Sequence, residues 1–115
     1  MPGQAIITIN HKQWIVSVAT TPLELVTGLG GVSSIPPGTG MLFDMGQEQT
    51  ITVTTVPMLF PLDIVFLDSS LIVNGIALNI APGYIVTTEV PARFFLEVNA
   101  GEARSMQKGS RQRSM

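Results

Sequence analysis

Cysteine is absent from this chain, and histidine nearly so. The 115 residues include no cysteine and one histidine, His11. Thiol nucleophiles, cysteine-liganded zinc and disulfides are therefore excluded, and the redox compartment is left open. One histidine in a polar loop cannot build a zinc site, and it is more simply interpreted as a solvated turn residue. We predict no metal and no cofactor.

Charge is also scarce, since 12% of the residues are charged while 45% are hydrophobic. Soluble domains usually carry about 25% charged residues. Such a chain has either a polar but uncharged surface or an apolar area that a partner covers. This composition favours a homo-oligomer, with a second copy as the expected partner and the ligand unknown.

Long apolar runs are missing as well. No run reaches the roughly 18 residues that a membrane-spanning helix needs. Residues 1–4 lack the basic start and apolar run of a secretion signal. We expect a soluble chain without a signal peptide and without a membrane span, in a compartment that the sequence leaves open. An exported location stays open if a signal was removed.

The chain does contain many short runs with strand character. Runs rich in β-branched and aromatic residues alternate with turn residues, and residues 50–56 alternate threonine with apolar residues at a period of two. About eight short strands predict the all-β class, mainly β with one short helix, as a small antiparallel barrel or sandwich. We expect a single compact β domain over residues 1–109 and a basic, flexible tail over residues 110–115.

The predicted helix has both a start and a stop signal. Thr21 suits the N-cap, Pro22 the first helical position and Glu24 the reciprocal capping position, and Gly28 ends the segment. The glycines after Gly28 follow a helix and lead into a strand. A phosphate-binding loop needs glycines before a helix, so we reject that interpretation.

The longest apolar run holds a lone carboxylate. Residues 62–67 predict a strand covered on both faces, followed by a turn at Asp68. Asp63 lies within this run, where an ionised carboxylate costs several kcal/mol unless it is paired or hydrogen-bonded. We therefore expect Asp63 near a strand end, accepting hydrogen bonds from backbone amides or a hydroxyl.

Three functional interpretations remain open, and the favoured one is a non-enzymatic binding or assembly module that self-associates. The alternative is a small-ligand-binding barrel with Asp63, Glu97 and Asn99 as polar groups among apolar walls. The third is a carboxylate-based hydrolase that uses Asp63 with Glu97. Because the sequence offers no nucleophile-base pair, we leave the question of an enzyme undecided but lean against it and predict no catalytic residue.

Most of the cations lie at the end of the chain. Residues 1–103 carry two cations and eight acids, a formal charge of -6, and the remaining residues carry +4. A contact with a polyanion or with the acidic face of a second subunit is a hypothesis beside that of a solvated terminus. Nucleic-acid binding is disfavoured because neither a basic face nor an aromatic row accompanies these cations. The residues in question are Arg104, Lys108, Arg111 and Arg113.

Four strings together resemble one family. They are Gly28-Leu29, Gly40-Met-Leu-Phe43, Pro61-Leu-Asp-Ile-Val-Phe-Leu-Asp68 and Leu96-Glu-Val-Asn-Ala-Gly101. Their order and spacing are similar to the bacterial and archaeal family called domain of unknown function one hundred and ninety-two, over roughly residues 14 to 109. The resemblance implies a compact, mainly β domain of unassigned biochemistry that is often found in exported proteins.

The departures from the family pattern bear on function. Family members carry a Phe-Trp-Met-Lys-Asn-like string where this chain has residues 53–57, Val-Thr-Thr-Val-Pro. Gly30 replaces a methionine, and the closing strand that begins with Gly-Asp is replaced by residues 109–115. Asp63 is retained although those neighbours are lost, which the resemblance associates with a structural role. We therefore expect the closing strand to be absent and a sheet edge to be left open.

Overall fold

The computed structural model describes residues 3–112 of the chain. The described residues form eight strands and one helix, which confirms the mainly β class with a single short helix. In chain order the elements are β1 (Gly3–Ile9), β2 (Lys12–Ala19), α1 (Pro22–Thr27), β3 (Thr39–Gln49), β4 (Thr52–Thr54), β5 (Leu62–Leu67), β6 (Val73–Ile80), β7 (Ile85–Thr87) and β8 (Ala92–Asn99).

The strands form a sandwich-like arrangement and not a closed barrel. Six strands make one sheet in the order β1-β2-β3-β8-β5-β6, and β4 pairs with β7 in a second, two-stranded sheet. The pairing is mainly antiparallel, as expected, and β2 with β3 is the one parallel pair among the described strands. Parallel neighbours need a long crossover, and residues 20–38, which include α1, provide it.

The large sheet is buried on both faces by two apolar clusters. The first contains Trp14, Leu42 and Leu96, and the second contains Phe43 and Phe95. Neighbouring residues of a strand point to opposite faces, so β3 and β8 each contribute to both clusters. Every residue of β5 is buried, and β5 lies between β8 and β6. This confirms the prediction of a strand covered on both faces.

The helix α1 begins and ends where its capping residues predict. The Thr21 hydroxyl accepts a hydrogen bond from the Glu24 amide, and the Glu24 carboxylate accepts from the Thr21 amide. The hydrogen bonds that the Thr20 and Thr21 amides donate to the Glu24 carboxylate are the main causes that lower the pKa of Glu24. No residue of α1 is buried. The helix therefore depends on its caps more than on packing.

The last described residues form a strap, residues 109–112, that touches both edges of the large sheet. The Gly109 amide donates to the Val73 carbonyl at 2.7 Å, and the Val73 amide donates to the Ser110 carbonyl at 2.7 Å. On the other side Gln112 forms a bridge with Ile9 of β1. The sheet is thus spanned at one end by single bridges, without a continuous ladder that would close a barrel.

The strap corrects the expectation that the closing segment is absent. Arg111 forms a bridge with Ile72, and Gln112 is only 5% exposed. The sequence argument failed because backbone groups pair at a sheet edge without needing apolar side chains. A free tail from residue 110 is therefore wrong for residues 110–112, while residues 113–115 lie outside the described part of the chain.

Candidate functional site

The candidate site is centred on Glu97 of β8. Its cross-strand neighbours are Met41 on β3 and Ile64 on β5, so it lies in the middle of the large sheet. Glu97 is only 4% exposed. By strand alternation its side chain lies on the same face as Phe95, and so faces the cluster that contains Phe43 and Ile64.

A cavity of about 260 Å³ lies over Glu97, and we call it the Glu97 cavity. One wall is the end of α1 with the turn after it, and the other is β4 with the turn after it. Apart from Glu97 and three threonines, its lining is apolar side chains and glycine. The lining residues are Leu25, Val26, Thr27, Gly28, Leu29, Gly30, Phe43, Thr52, Val53, Thr54, Pro57, Met58, Phe95 and Glu97.

Close packing fixes the floor and the wall of this cavity. The rings of Phe43 and Phe95 stack with centroids 4.2 Å apart and planes 6° from parallel. Gly28 has φ +47°, and a Cβ there would lie 3.0 Å from the Phe43 ring, so glycine suits both the turn and the contact. At Gly40 a Cβ would clash with the Glu97 carbonyl oxygen. Glycine therefore lets β3 approach β8 at Glu97.

The Glu97 carboxyl group has unusual surroundings. Among residues 3–112 it has no hydrogen-bond or ion-pair partner, although Glu97 is almost fully buried. Burial disfavours the charged form and raises the pKa of Glu97 to about 7. A carboxyl group at the bottom of an apolar cavity is thus poised to change protonation near neutral pH.

Asp63 has the opposite environment. Its Oδ1 accepts a hydrogen bond from the Asn79 amide at 2.8 Å, and its Oδ2 accepts from the Gly101 and Ala103 amides, both at 2.9 Å. These bonds agree with the expectation that backbone amides satisfy this carboxylate. Asp63 is the second residue of β5 and holds the loop after β8 in place.

The structure does not bring Asp63 and Glu97 together. Asp63 pairs with Val98 and Glu97 with Ile64, so the two carboxylates project from opposite faces of the sheet. The hydrolase interpretation, which needs both carboxylates on one substrate, is corrected by this geometry. Asp63 instead lines a separate cavity of about 310 Å³, together with Arg104.

Asn99, the third predicted site residue, lies two positions after Glu97 on the same strand. Its Nδ2 donates a hydrogen bond to the Ile35 carbonyl at 3.1 Å. Asn99 does not line the Glu97 cavity. Of the three predicted site residues, only Glu97 therefore faces this cavity.

The predicted cationic contact residues do not form one site. Arg104 lines the cavity beside Asp63, whereas Lys108 lines a different cavity beside Gly75. Arg111 belongs to the strap, and Arg113 lies outside the described residues. Contact with a polyanion or with a second subunit stays a prediction for these residues.

Sequence reasoning missed most of the cavity lining, but a usable signal was present. Three of the four family-like strings supply lining residues, namely Gly28, Phe43 and Glu97. The string that departs from the family pattern, residues 53–57, supplies part of the opposite wall. Residues far apart in sequence thus converge on one cavity, which only the three-dimensional arrangement reveals.

The described residues lack two features, a cluster of metal ligands and a membrane-spanning helix. Residues 3–112 contain no group of three or more His, Cys, Asp or Glu side chains placed to hold a metal ion. The same range includes no helix that is both long enough and apolar enough to cross a membrane.

Comparison with known proteins agrees with the fold and the family resemblance. The family model described as DUF192, "Uncharacterized ACR", matches residues 5–113, which confirms the resemblance drawn from the four strings. No curated protein matches the chain.

Two solved structures are similar. One is a "putative transcription regulator" from Sinorhizobium meliloti 1021, with 24% identity, a TM-score of 0.92, and coverage of 98% of this chain and 95% of that one. The other is a protein of unknown function from Novosphingobium aromaticivorans DSM 12444, with 23% identity, a TM-score of 0.85, and coverage of 97% and 84%. At these identities the likeness establishes the fold.

Proposed function

The chain belongs to the DUF192 family, and from the geometry of its cavity we propose that it is a non-enzymatic module that binds a small molecule in the Glu97 cavity. The ligand is expected to combine an apolar body with one polar group directed at Glu97. This proposal narrows the predicted binding module to the small-ligand alternative, with Glu97 kept and Asp63 and Asn99 moved to structural roles.

The observation that carries the proposal is the unpartnered carboxyl group of Glu97. Buried polar groups in native proteins are almost always hydrogen-bonded, and an exception calls for an explanation such as a functional role. The Glu97 carboxyl oxygens are not sealed in the core but face a cavity with an otherwise apolar floor, where a ligand could supply the missing partner. A few polar groups among apolar walls are the usual composition of a small-molecule site.

Binding is better supported than catalysis. Among the lining residues Glu97 is the single titratable side chain, and a general acid or base needs a second reacting group or an electrophilic partner nearby. The threonines of the lining have no base next to them other than Glu97. An enzymatic role therefore lacks the second group that such chemistry requires.

The name of the Sinorhizobium protein suggests a role in transcription, which finds less support for this chain. Residues 1–103 carry a formal charge of -6, and two of the cations after them line different cavities. A nucleic-acid-binding surface requires clustered cations. We therefore place DNA or RNA binding below small-molecule binding.

The test is a fragment screen read by nuclear magnetic resonance. We expect small aromatic and aliphatic fragments, neutral and charged, to shift the amide signals of Phe43, Phe95 and Glu97. The variant Thr54→Phe places a large ring at the cavity wall and should abolish these shifts. Its matched control is Thr50→Phe, because Thr50 is exposed and does not line the cavity.

Two results would contradict this function. One is a screen in which no fragment shifts the signals around Glu97. The other is a set of shifts that persists in Thr54→Phe as strongly as in Thr50→Phe, because the fragments would then occupy another surface.

A further inference from the structure

We infer that the molecule bound in the Glu97 cavity is a hydrophobic ammonium compound, a protonated amine carried on a compact apolar body. This inference rests on the proposed function and adds the chemical class of the ligand. It follows from the absence of a cation among the lining residues, from the polar groups that are present there, and from the size of the cavity.

The first argument concerns the missing counterion. A buried carboxylate without a partner is strongly unfavourable, and a protein normally supplies a cation or several donors. No Lys, Arg or His lines the Glu97 cavity. For the ionised form of Glu97 the counterion would come from the occupant, and an ammonium group supplies a positive charge with three donors.

The second argument concerns the charged groups on the surrounding elements. Each has another partner or another location, and none of them forms a bond with Glu97. Glu24 of α1 caps its own helix, and Asp44 of β3 pairs with Arg93 of β8 at 3.0 Å. Glu48 of β3 accepts from the Ser69 amide, Asp63 of β5 lies on the other face, and β4 has no ionisable side chain. The Glu97 carboxyl group is therefore available to a ligand.

The third argument concerns attraction and repulsion at a distance. Residues 1–103 have a formal charge of -6, which favours the approach of cations and disfavours carboxylates and phosphates. Thr27, Thr52 and Thr54 are exposed residues that also line the cavity. The Thr52 hydroxyl bonds to that of Thr87 and the Thr54 hydroxyl accepts from the Val56 amide, which leaves each oxygen a further acceptor site. Those oxygens can accept the ammonium donors that Glu97 does not take.

The fourth argument concerns size and shape. The cavity of about 260 Å³ lies slightly below the range typical of ligand sites, roughly 300 to 1,000 Å³, so it suits a small occupant. Its floor contains the stacked rings of Phe43 and Phe95, and Met58 and Val53 complete an apolar surround. One aromatic ring or a short branched chain fits this space, so benzylamine is a suitable probe.

Binding of an ammonium ligand must be linked to the protonation of Glu97. Burial raises the pKa of the Glu97 carboxyl group to about 7. At neutral pH a fraction of the protein molecules therefore has Glu97 protonated. The ammonium ion keeps its protons, and Glu97 releases its own proton to solvent when the ion pair forms. Affinity should therefore rise with pH through 7, as long as the amine itself stays protonated.

The experiment compares benzylamine with benzyl alcohol, which has nearly the same shape and no charge. Calorimetric titration should give about tenfold tighter benzylamine binding at pH 8 than at pH 6, the ratio expected for a group titrating near 7. Benzyl alcohol should bind more weakly and with little pH dependence. Repeating the titration in two buffers of different ionisation enthalpy should reveal the released proton.

The variant Glu97→Gln should remove the benzylamine preference, while the exposed control Glu89→Gln should keep it. Circular dichroism is the control that checks whether both variants are folded. The inference is overturned if benzylamine does not bind in the millimolar range, binds no tighter than benzyl alcohol at pH 8, binds tighter at pH 6, or binds Glu97→Gln unchanged. Neutral fragments that still occupy the cavity would leave the proposed function standing while the ammonium class fails.

Discussion

At the scale of single residues, two carboxylates on neighbouring strands have contrasting surroundings. Asp63 is 1% exposed and accepts hydrogen bonds from three backbone amides. Glu97 is 4% exposed, and its side chain has no hydrogen-bond or ion-pair partner among residues 3–112. Amides favour the charged form of a carboxyl group, and burial alone favours the neutral form. Asp63 is thus tied into the scaffold by backbone amides, and Glu97 is the residue to which we assign the proposed ligand contact.

The first prediction concerns Asp63→Ala. Removal of this carboxylate leaves the amides of Asn79, Gly101 and Ala103 without their acceptor, so the free energy of unfolding should fall by about 1 to 3 kcal/mol. Urea denaturation measures the change. Glu89→Ala, which removes an exposed carboxylate, is the control and should stay close to the parent. Equal stabilities of the two variants would disprove the scaffold role.

The second prediction concerns Glu97→Gln and pH. The pKa of Glu97 rises from the ordinary 4.5 of a glutamate to about 7 in the folded state, because burial penalises the charge. Folding therefore favours the protonated form, and this contribution to stability is lost as pH rises from about 4.5 to about 7. At pH 8 the glutamine variant should be more stable than the parent by up to roughly 3 kcal/mol.

The measurement is urea denaturation of both proteins at pH 5, 6, 7 and 8. The gap between them should widen up to about pH 7 and then stay constant, since titration is complete above the folded-state pKa. A gap that does not change with pH would mean that Glu97 is not the isolated carboxyl group described above.

The two carboxylates also mark what sequence can and cannot predict about the site. A single charge in an apolar run predicts that Asp63 accepts hydrogen bonds, and three backbone amides donate to it in the structure. The isolation of Glu97 did not follow from its own strand. It depends on α1, β4 and β3 contributing no donor to one face of the sheet, and these elements are distant in sequence.

At the scale of elements, α1 is a wall of the Glu97 cavity that is held mainly from its ends. Leu23 is 76% exposed and Val26 83% exposed, although both are apolar. Packing normally supplies most of the stability of a short helix in a protein. This helix instead relies on its capping box, so it is the part of the cavity most easily opened.

The third prediction concerns Thr21→Ala, which removes one half of the capping box. Loss of an N-cap costs about 1 kcal/mol, which corresponds to roughly fivefold faster local opening. The amides of Leu25 and Gly28, bonded to the Thr21 and Glu24 carbonyls, should exchange hydrogen that much faster. Global stability should change little, because α1 buries no residue.

Thr20→Ala is the matched control, since Thr20 contributes its backbone amide to Glu24. Its exchange rates should resemble those of the parent. A large loss of global stability in Thr21→Ala would show that α1 is a core element and not a locally held wall.

Sequence patterns predicted elements better than their pairing. The bounds of α1 and β5 agree with the residues expected, because caps, prolines and turn residues lie next to those segments. The parallel pairing of β2 with β3 was not predicted. Local strand patterns do not distinguish parallel from antiparallel pairing. The signals within residues 20–38 predict the helix α1 but not the direction in which the chain enters β3.

At the scale of the whole molecule, the strap joins the two ends of the six-stranded sheet. Its backbone groups bond to Leu71 and Val73 beside β6, and it forms a bridge with Ile9 of β1. The Asn10 side chain adds a bond of 2.9 Å to the Ser110 hydroxyl. Edge strands with unpaired backbone groups promote unwanted association, and the strap covers part of both edges.

The fourth prediction concerns a truncation that ends the chain at Lys108. Loss of the strap removes the bonds to Leu71 and Val73 and exposes two edges, so the free energy of unfolding should fall by about 1 to 3 kcal/mol. Denaturation in urea tests the stability. Light scattering tests whether the opened edges increase the mass in solution. A truncation at Gln112, which keeps every described bond of the strap, is the control.

Unchanged stability after the Lys108 truncation would mean that the bridges at Ile9 and Ile72 contribute nothing. Self-association of the parent protein stays a prediction, and the same light-scattering measurement tests it. If the parent is an oligomer that loses mass only when residues 113–115 are removed, the basic end is responsible for assembly and the strap is not.

The strap also imposes an order on biosynthesis. Asn10 leaves the ribosome long before Ser110, its partner 100 residues later in the chain. At about 5 to 20 residues per second, roughly 5 to 20 s pass between them. The hairpin of β1 and β2 gains β3 as a neighbour well before then, but the end of β1 at Ile9 has no partner from the strap during that time. The contacts of the strap with Ile9 and Asn10 are therefore among the last that the described residues can form as the chain is made.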